Sequence, residues 1–274
     1  MEKESAQQFD TAADAYESSA FDIPVREHVE HYSIRNICGD IHGLPVLDVG
    51  CGTGLYTRRL ARWGARPVIG VDISAGMLAT AQSIEDAEPL GVTYLRRDLS
   101  APCQCEPEYA QLSGNIPLVL AVYVLCYATT REQLLAMCRT VRDELKPGGV
   151  FVAPTLNPDY ATEGPEEPYS DDYYAPYGFT LTTAQNATEG APVTLTMQFP
   201  GKDDEGQVSL AAARTSVEAV WWSEQTYADA LREAGFTHLT WQTMHVSPEG
   251  VRLHGRPYWQ RYLARPHAKV LVAT

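Results

Sequence analysis

Short apolar runs alternate with helix-patterned stretches through the middle of the chain. Between positions 44 and 157, PVLDVG, PVIGVDIS, VTYLRRDLS, PLVLAVYVL and VFVAPTL read as strands. Each is compact, rich in Val, Ile and Leu, and bordered by turn residues. LYTRRLARWG, AGMLATAQSIEDA and REQLLAMCRTVRDELKPGG repeat apolar residues at helical spacing, the first ended by Gly64 and the last by Pro147 and Gly148. PLVLAVYVL is apolar enough to be buried on both faces. Strands separated by helices of this length predict βαβ units, hence a doubly wound, mostly parallel sheet with right-handed crossovers.

After position 158 the rhythm changes. DYATEGPEEPYSDDYYAPYGF is rich in Pro, Tyr and acids and reads as a loop. The stretches FTLTTAQNATEGAPVTLTMQFPG and GQVSLAAARTSVEAVWW then alternate with period two, as antiparallel strands do. SEQTYADALREAGF predicts a helix with Ser223 as N-cap and Gly235 at its end. THLTWQTM and AKVLVAT read as two last strands, with a helical insertion, GRPYWQRYLA, between them. Four segments follow: an N-terminal helical lid (1–43), an α/β core (44–157), an antiparallel insertion (158–222) and a C-terminal completion of the sheet (223–274).

Composition narrows the function classes. With 35 acidic and 21 basic residues the formal charge is −14, so a phosphate backbone or an anionic membrane is a poor partner. The first residues, MEKESAQQFDTAADAYE, carry no apolar stretch, and no run of about 18 apolar residues occurs, so a cytoplasmic protein is expected. Of the six cysteines, only Cys103 and Cys105 stand close together, without the second pair or histidines that a zinc site needs. The others sit in apolar contexts, where small buried thiols are common.

VLDVGCGTG, at 46–54, sets three alternate glycines behind a strand. In the first βα turn of an open parallel sheet, such glycines let a ligand lie against bare backbone. Two ligands compete, a nicotinamide dinucleotide and S-adenosylmethionine. A dinucleotide fingerprint needs glycine at position 55, where Leu55 stands. Asp48, an acid inside the strand, either braces the loop or faces a ligand ammonium. Asp98, at the end of VTYLRRDLS, is placed to accept from an adenine amino group.

VLDVGCGTG, VIGVDIS, RRDLS and LKPGGVFV, in this order and spacing, resemble class I S-adenosylmethionine-dependent methyltransferases. LLAMCRTV, LNPD, YGF, EAGF and VSPEGVRLHGRPYWQRYL extend the resemblance, over most of the chain, to the bacterial toxoflavin synthase-like small-molecule methyltransferases. His254 stands in LHGRPYW where that subfamily often carries tyrosine. The resemblance implies a Rossmann-like fold and S-adenosylmethionine as cofactor, leaving S-adenosylhomocysteine. It implies Gly50 and Gly52 against the methionine part and ribose, Asp72 on both ribose hydroxyls, and Ile73 and Met77 about the adenine. Asp98 and the Leu99 amide would read the adenine edge. Ala121 to Tyr123 would lie beneath the sulfonium, and Tyr16 would close over the cofactor.

The acceptor site is read from aromatics. Tyr127, Trp221, Trp222 and His254 are substrate-binding candidates, although core packing is the favoured reading for any single aromatic except Tyr123 and Tyr127, which follow the fourth strand where an acceptor would approach. No catalytic group is assigned; Tyr16, Tyr123 and His245 are the candidates. The expected activity is methyl transfer to a small aromatic or heteroaromatic secondary metabolite, at N, O or C, by in-line displacement without metal. The expected assembly is a monomer or homodimer. The alternatives are a non-catalytic S-adenosylmethionine-binding protein, with a plugged acceptor chamber, and an NAD-dependent oxidoreductase. The 9–32 stretch and the 158–222 insertion are expected to close over the cofactor from opposite sides. Since no Asp, His and Cys cluster stands near the strand ends, turnover is expected to survive EDTA. Loss of rate that magnesium or zinc restores would overturn that expectation.

Overall fold

The computed structural model describes residues 23–101, 111–161, 173–183, 188–202 and 208–274. Tyr16, Cys103, Cys105 and most of the 9–32 stretch lie outside the described residues.

Seven strands form the main sheet: β1 (Val46–Val49), β2 (Val68–Asp72), β3 (Thr93–Arg96), β4 (Ile116–Leu120), β5 (Leu145–Leu156), β9 (Leu239–Gln242) and β10 (Ala268–Ala273), in the order β3-β2-β1-β4-β5-β10-β9. β1 pairs in parallel with both β2 and β4, Val46 opposite Val68 and Leu118. β10 runs against β5, Ala268 opposite Leu156. The expected doubly wound, mostly parallel sheet is therefore the fold. Both faces are covered, which is why its strands are apolar without alternation. Val46 packs on one face with Leu118, Val152 and Ile34, whereas Leu47 and Val49 pack on the other with Val119, Leu134 and Leu231.

The helices begin where the sequence places caps. Ser74 accepts from the Met77 amide at the start of α3 (Ala75–Ala87), Thr130 from Gln133 before α4 (Arg131–Glu144), and Ser223 from Thr226 before α5 (Glu224–Glu233). α2 (Leu55–Arg62) starts directly behind the glycines. Ahead of the sheet, a π-helical turn, Arg26–His31, runs into α1 (Tyr32–Cys38). α6 (Pro248–His254) and α7 (Arg256–Ala264) supply the helical insertion before β10. A second, antiparallel sheet, β6 (Phe179–Thr183), β7 (Ala191–Lys202) and β8 (Val208–Trp221), packs Phe179, Val193 and Ala219 onto the first face of the main sheet.

Two elements differ from expectation. α4 ends at Glu144 and β5 begins at once, because Lys146 precedes Pro147 and is driven toward extended backbone. β4 stops at Leu120, whereas the apolar run continues to Leu125. That run turns at Tyr123, the one non-glycine residue with positive φ (54°) among the described residues, and then enters a 3-10 turn, Leu125–Tyr127. Its hydrophobicity records burial, not strand. Among the described residues no helix is long and apolar enough to cross a membrane.

Candidate active site

The strand order reverses between β1 and β4, and the carboxyl ends there form the crevice where open α/β sheets bind ligands. Gly50, Gly52 and Gly54 have φ of 62°, 55° and 79°. A Cβ on Gly50 would lie 2.5 Å from Val124 Cγ2, and one on Gly54 would run into the Tyr94 hydroxyl. Left-handed backbone and close packing thus account for glycine at both positions.

Two buried or half-buried carboxylates hold this turn. Asp72, at the end of β2, accepts the Gly52 amide on Oδ2 and the Ser74 amide on Oδ1, each at 2.8 Å. Both oxygens are thereby fixed at the mouth of the turn. Asp48, 1% exposed, accepts the Thr57 hydroxyl on Oδ2 at 2.6 Å and so ties β1 to α2. Burial pushes the Asp48 carboxyl up to about 7; the Thr57 hydrogen bond opposes the shift and the Asp72 charge adds to it.

A cavity of about 140 Å³ opens over the turn. Asp48, Gly50, Gly52, Asp72, Ile73, Met77, Asp98, Leu99 and Tyr123 all line it, and so does Tyr127. Three carboxylates around apolar side chains suit a ligand with several N–H and O–H donors on a flat, apolar body. Asp98 also accepts the Ser100 amide and hydroxyl on Oδ1, at 2.8 and 2.7 Å. Neighbouring Arg97 is anchored to the buried Glu144 at 2.5 Å. Cys51 lines the cavity too, and burial raises its thiol well above the ordinary range, which favours the protonated form.

A second cavity, of about 50 Å³, shares Tyr123 and Tyr127 with the first. Its walls are apolar, from Ile23 and Val25, from Leu156, and from Val193, Leu195, Met197, Val217 and Ala219 of the small sheet. One end is polar: Arg26, Glu30 and His267. There the Tyr123 hydroxyl donates to Glu30 Oε1 at 2.7 Å and lies 3.0 Å from His267 Nε2, while the Tyr262 hydroxyl meets His267 Nδ1 at 2.9 Å. π-helical turns recur at functional sites, and this one buries Arg26 and Glu30 together.

Several expected residues are placed elsewhere. Ala121 is fully buried in the sheet, its amide bonded to the Val152 carbonyl, and does not line the cavity; Val122 and Tyr123 do. Trp221 and Trp222 are core anchors whose indole N–H groups bond the carbonyls of Pro158 and Ala128. His254 stacks on Tyr258 at 5.0 Å, on the α6–α7 surface, and His245 is exposed; neither lines either of these two cavities. Of the substrate-binding candidates only Tyr127 faces both cavities. Glu30 and His267 escaped sequence reading. The signal for His267 is topological: antiparallel β10 begins where the parallel strands end, and the His267 carbonyl accepts the Asn157 amide at 2.8 Å beyond β5.

The chain is similar to known methyltransferases in sequence and fold. Residues 46–149 match a family model described as a methyltransferase domain. The chain is 29% identical over 211 residues to the N-demethylindolmycin N-methyltransferase of Streptomyces griseus, covering 74% of this chain and 73% of that one. It is 33% identical over 117 residues to the ubiquinone biosynthesis O-methyltransferase of Bradyrhizobium sp. (strain ORS 278), a match spanning 43% of this chain and 42% of the relative. Among solved structures, the CcbJ methyltransferase of Streptomyces caelestis superposes with a TM-score of 0.62 at 19% identity, covering 97% of this chain and 96% of the other.

The raised Asp48 carboxyl has a stability consequence. Between its unfolded value, about 4, and about 7, the native state binds more protons than the unfolded state. Stability is therefore expected to fall as pH rises through this window and to level off above it. Asp48→Asn keeps an acceptor for Thr57 and removes the charge. Chemical denaturation at pH 5 and pH 8 should differ by roughly 2–4 kcal/mol less in the variant than in the wild type. An unchanged pH dependence would mean that Asp48 titrates normally.

Proposed function

Because the chain is an S-adenosylmethionine-dependent methyltransferase, we propose that it methylates a small aromatic or heteroaromatic secondary metabolite, at N, O or C, held in the second cavity. S-adenosylmethionine supplies a methyl group already activated on a cationic sulfur, so the protein's task is alignment and exclusion of water. In this reading Asp72 takes the ribose diol, and Asp48, Gly50 and Gly52 face the methionine part. Ile73 and Met77 flank the adenine, while Asp98 and the Leu99 amide meet its edge. Asp48 serves both roles that its position suggests, brace and ligand contact. Three acids opposite the ammonium, diol and amine of one ligand are a fit that a pyrophosphate would not share.

The observation that carries the acceptor assignment is the pair of tyrosines common to both cavities. A ligand in the apolar chamber lies against the same two rings as the cofactor pocket, and an aromatic face beside a sulfonium adds a cation–π attraction of about 1 kcal/mol. An apolar chamber with one polar end supports a small molecule and opposes the non-catalytic reading, which wants it plugged. The S. griseus relative, named for N-methylation of a demethylindolmycin, supports the same class. Residues 23–30 and the β6–β8 sheet line the chamber from two sides, as the two caps of the 1–43 and 158–222 segments would. A monomer or homodimer in the cytoplasm, with no nucleic-acid partner, accompanies this reading.

Filling the chamber tests it. Ala219→Phe should leave S-adenosylmethionine affinity within about twofold, which also certifies folding, while turnover of small aromatic acceptors falls by about tenfold or more. S-adenosylhomocysteine formation, followed by mass spectrometry over a panel of N–H, O–H and activated C–H aromatics, is the assay. Turnover unaffected by the substitution, or seen only with a macromolecular acceptor, would overturn the proposal. Asp72→Ala should weaken the cofactor by roughly 2–3 kcal/mol if it holds both ribose hydroxyls; unchanged affinity by calorimetry would refute that contact.

A further inference from the structure

The hydrogens at the polar end of the second cavity run in one direction. Tyr123 gives its one hydrogen to Glu30, so the neutral His267 ring must donate from Nε2, and its Nδ1, 2.9 Å from the Tyr262 hydroxyl, accepts from that phenol. Nε2 then carries the ring hydrogen and points it at Tyr123 Oη, 3.0 Å away, and at Glu30 Oε1, 3.3 Å away. Tyr123 in turn gives its own hydrogen to Glu30 Oε1. The chain Tyr262 to His267 to Tyr123 to Glu30 ends on a carboxylate whose first oxygen is saturated with donors. Its second oxygen, Oε2, accepts no hydrogen bond among the described residues, although Glu30 is only 3% exposed and lines the cavity. A buried carboxylate oxygen left so is costly and calls for a partner.

Charge limits what the partner can be. Arg26 Nε stands 3.9 Å from Oε2, so the carboxylate is already balanced. Burial pushes the Glu30 carboxyl up, but the hydrogen bonds from His267 and Tyr123, with the Arg26 charge, outweigh it and hold the group below the usual carboxylate range. Tyr123 and Tyr262 are raised well above the phenol range and keep their protons. A second cation would meet the guanidinium, and an anion would meet the carboxylate. Either would also lose its hydration against Val193, Leu195 and Met197.

We propose that Glu30 is the acceptor-recognising residue, and that the second cavity takes a neutral, mostly apolar molecule which presents one N–H or O–H to Glu30 Oε2. The inference rests on the second cavity being the acceptor site. It narrows the acceptor to molecules whose polar end is a hydrogen-bond donor, and it makes Glu30, not an exposed histidine, the group that sets their orientation. Tyr123, shared by both cavities and turned by a positive φ, carries that orientation to the cofactor pocket.

Binding to the full chain, saturated with S-adenosylhomocysteine so that nothing turns over, tests this by calorimetry and ligand-observed NMR. The probes are indole against 1-methylindole for the N–H arm and 2-naphthol against 2-methoxynaphthalene for the O–H arm, with tryptamine and indole-3-acetate as charged controls. The free donor is expected to bind about tenfold tighter than its methylated counterpart in at least one arm, and both charged probes more weakly. Glu30→Gln sharpens the test. Tyr123 and His267 both donate to the Oε1 position, so the amide oxygen must sit there and its NH2 takes the Oε2 position. The donor preference should then vanish or invert, with S-adenosylhomocysteine affinity reporting that the variant is folded. Equal binding of free and methylated probes, or a preference unmoved by the variant, overturns the role of Glu30 and leaves the acceptor chamber standing. No binding of any neutral aromatic, while S-adenosylhomocysteine still binds, overturns the chamber itself. Should the variant fail to fold, the wild-type series alone decides.

Discussion

The whole site hangs on one backbone constraint: a strand must end, turn through left-handed residues and start a helix within five positions. Asp72 makes that turn possible by accepting amides from both sides of it, Gly52 from the β1 turn and Ser74 from the β2 end. Asp48 repeats the device at the base of the turn through Thr57. Because the two acids are already committed to holding backbone, a ligand that meets them finds oxygens fixed in place, and little ordering remains to be done on binding.

The second half of the site depends on strand direction. Six strands of the main sheet run one way and β10 runs the other, which brings the start of β10 to the ligand-binding edge. His267 thereby reaches Tyr123 from across the sheet, and the buried π-helical turn reaches the same point from the N-terminal side. Three segments far apart in sequence converge on one phenol. Glu30, His267 and Tyr262 are buried there, so the hydrogen bonds among these groups are stronger than they would be at the surface.

Sequence reading recovered what is local. The glycine turn, the three acids, the helix caps and the period-two insertion each leave a signature within a few residues. The cavity positions named from the family resemblance lie together, apart from Ala121, whose side chain is held within the sheet core, and Tyr16, beyond the described residues. What escaped is non-local. Nothing near Glu30 or His267 distinguishes them from a helix acid and a loop histidine, since their meaning comes from partners 93 and 144 positions away from or toward Tyr123. Trp221 and Trp222 misled for the opposite reason: aromatic and adjacent, they serve the core, each tied to a carbonyl on its own side.

The division of the walls has an evolutionary consequence. The first cavity is built largely from the ends of the main sheet, while about half of the second cavity's apolar wall comes from β7 and β8, strands that line no part of the first. Exchanging Val193, Leu195, Met197 or Val217 for other apolar residues reshapes the chamber without disturbing the turn that the glycines and acids hold. Under the proposed function, new acceptor preferences are thus reachable by drift through single substitutions, with methyl-donor chemistry inherited intact. Tyr123 and Tyr127 belong to both cavities, and they are the positions at which such drift meets its boundary.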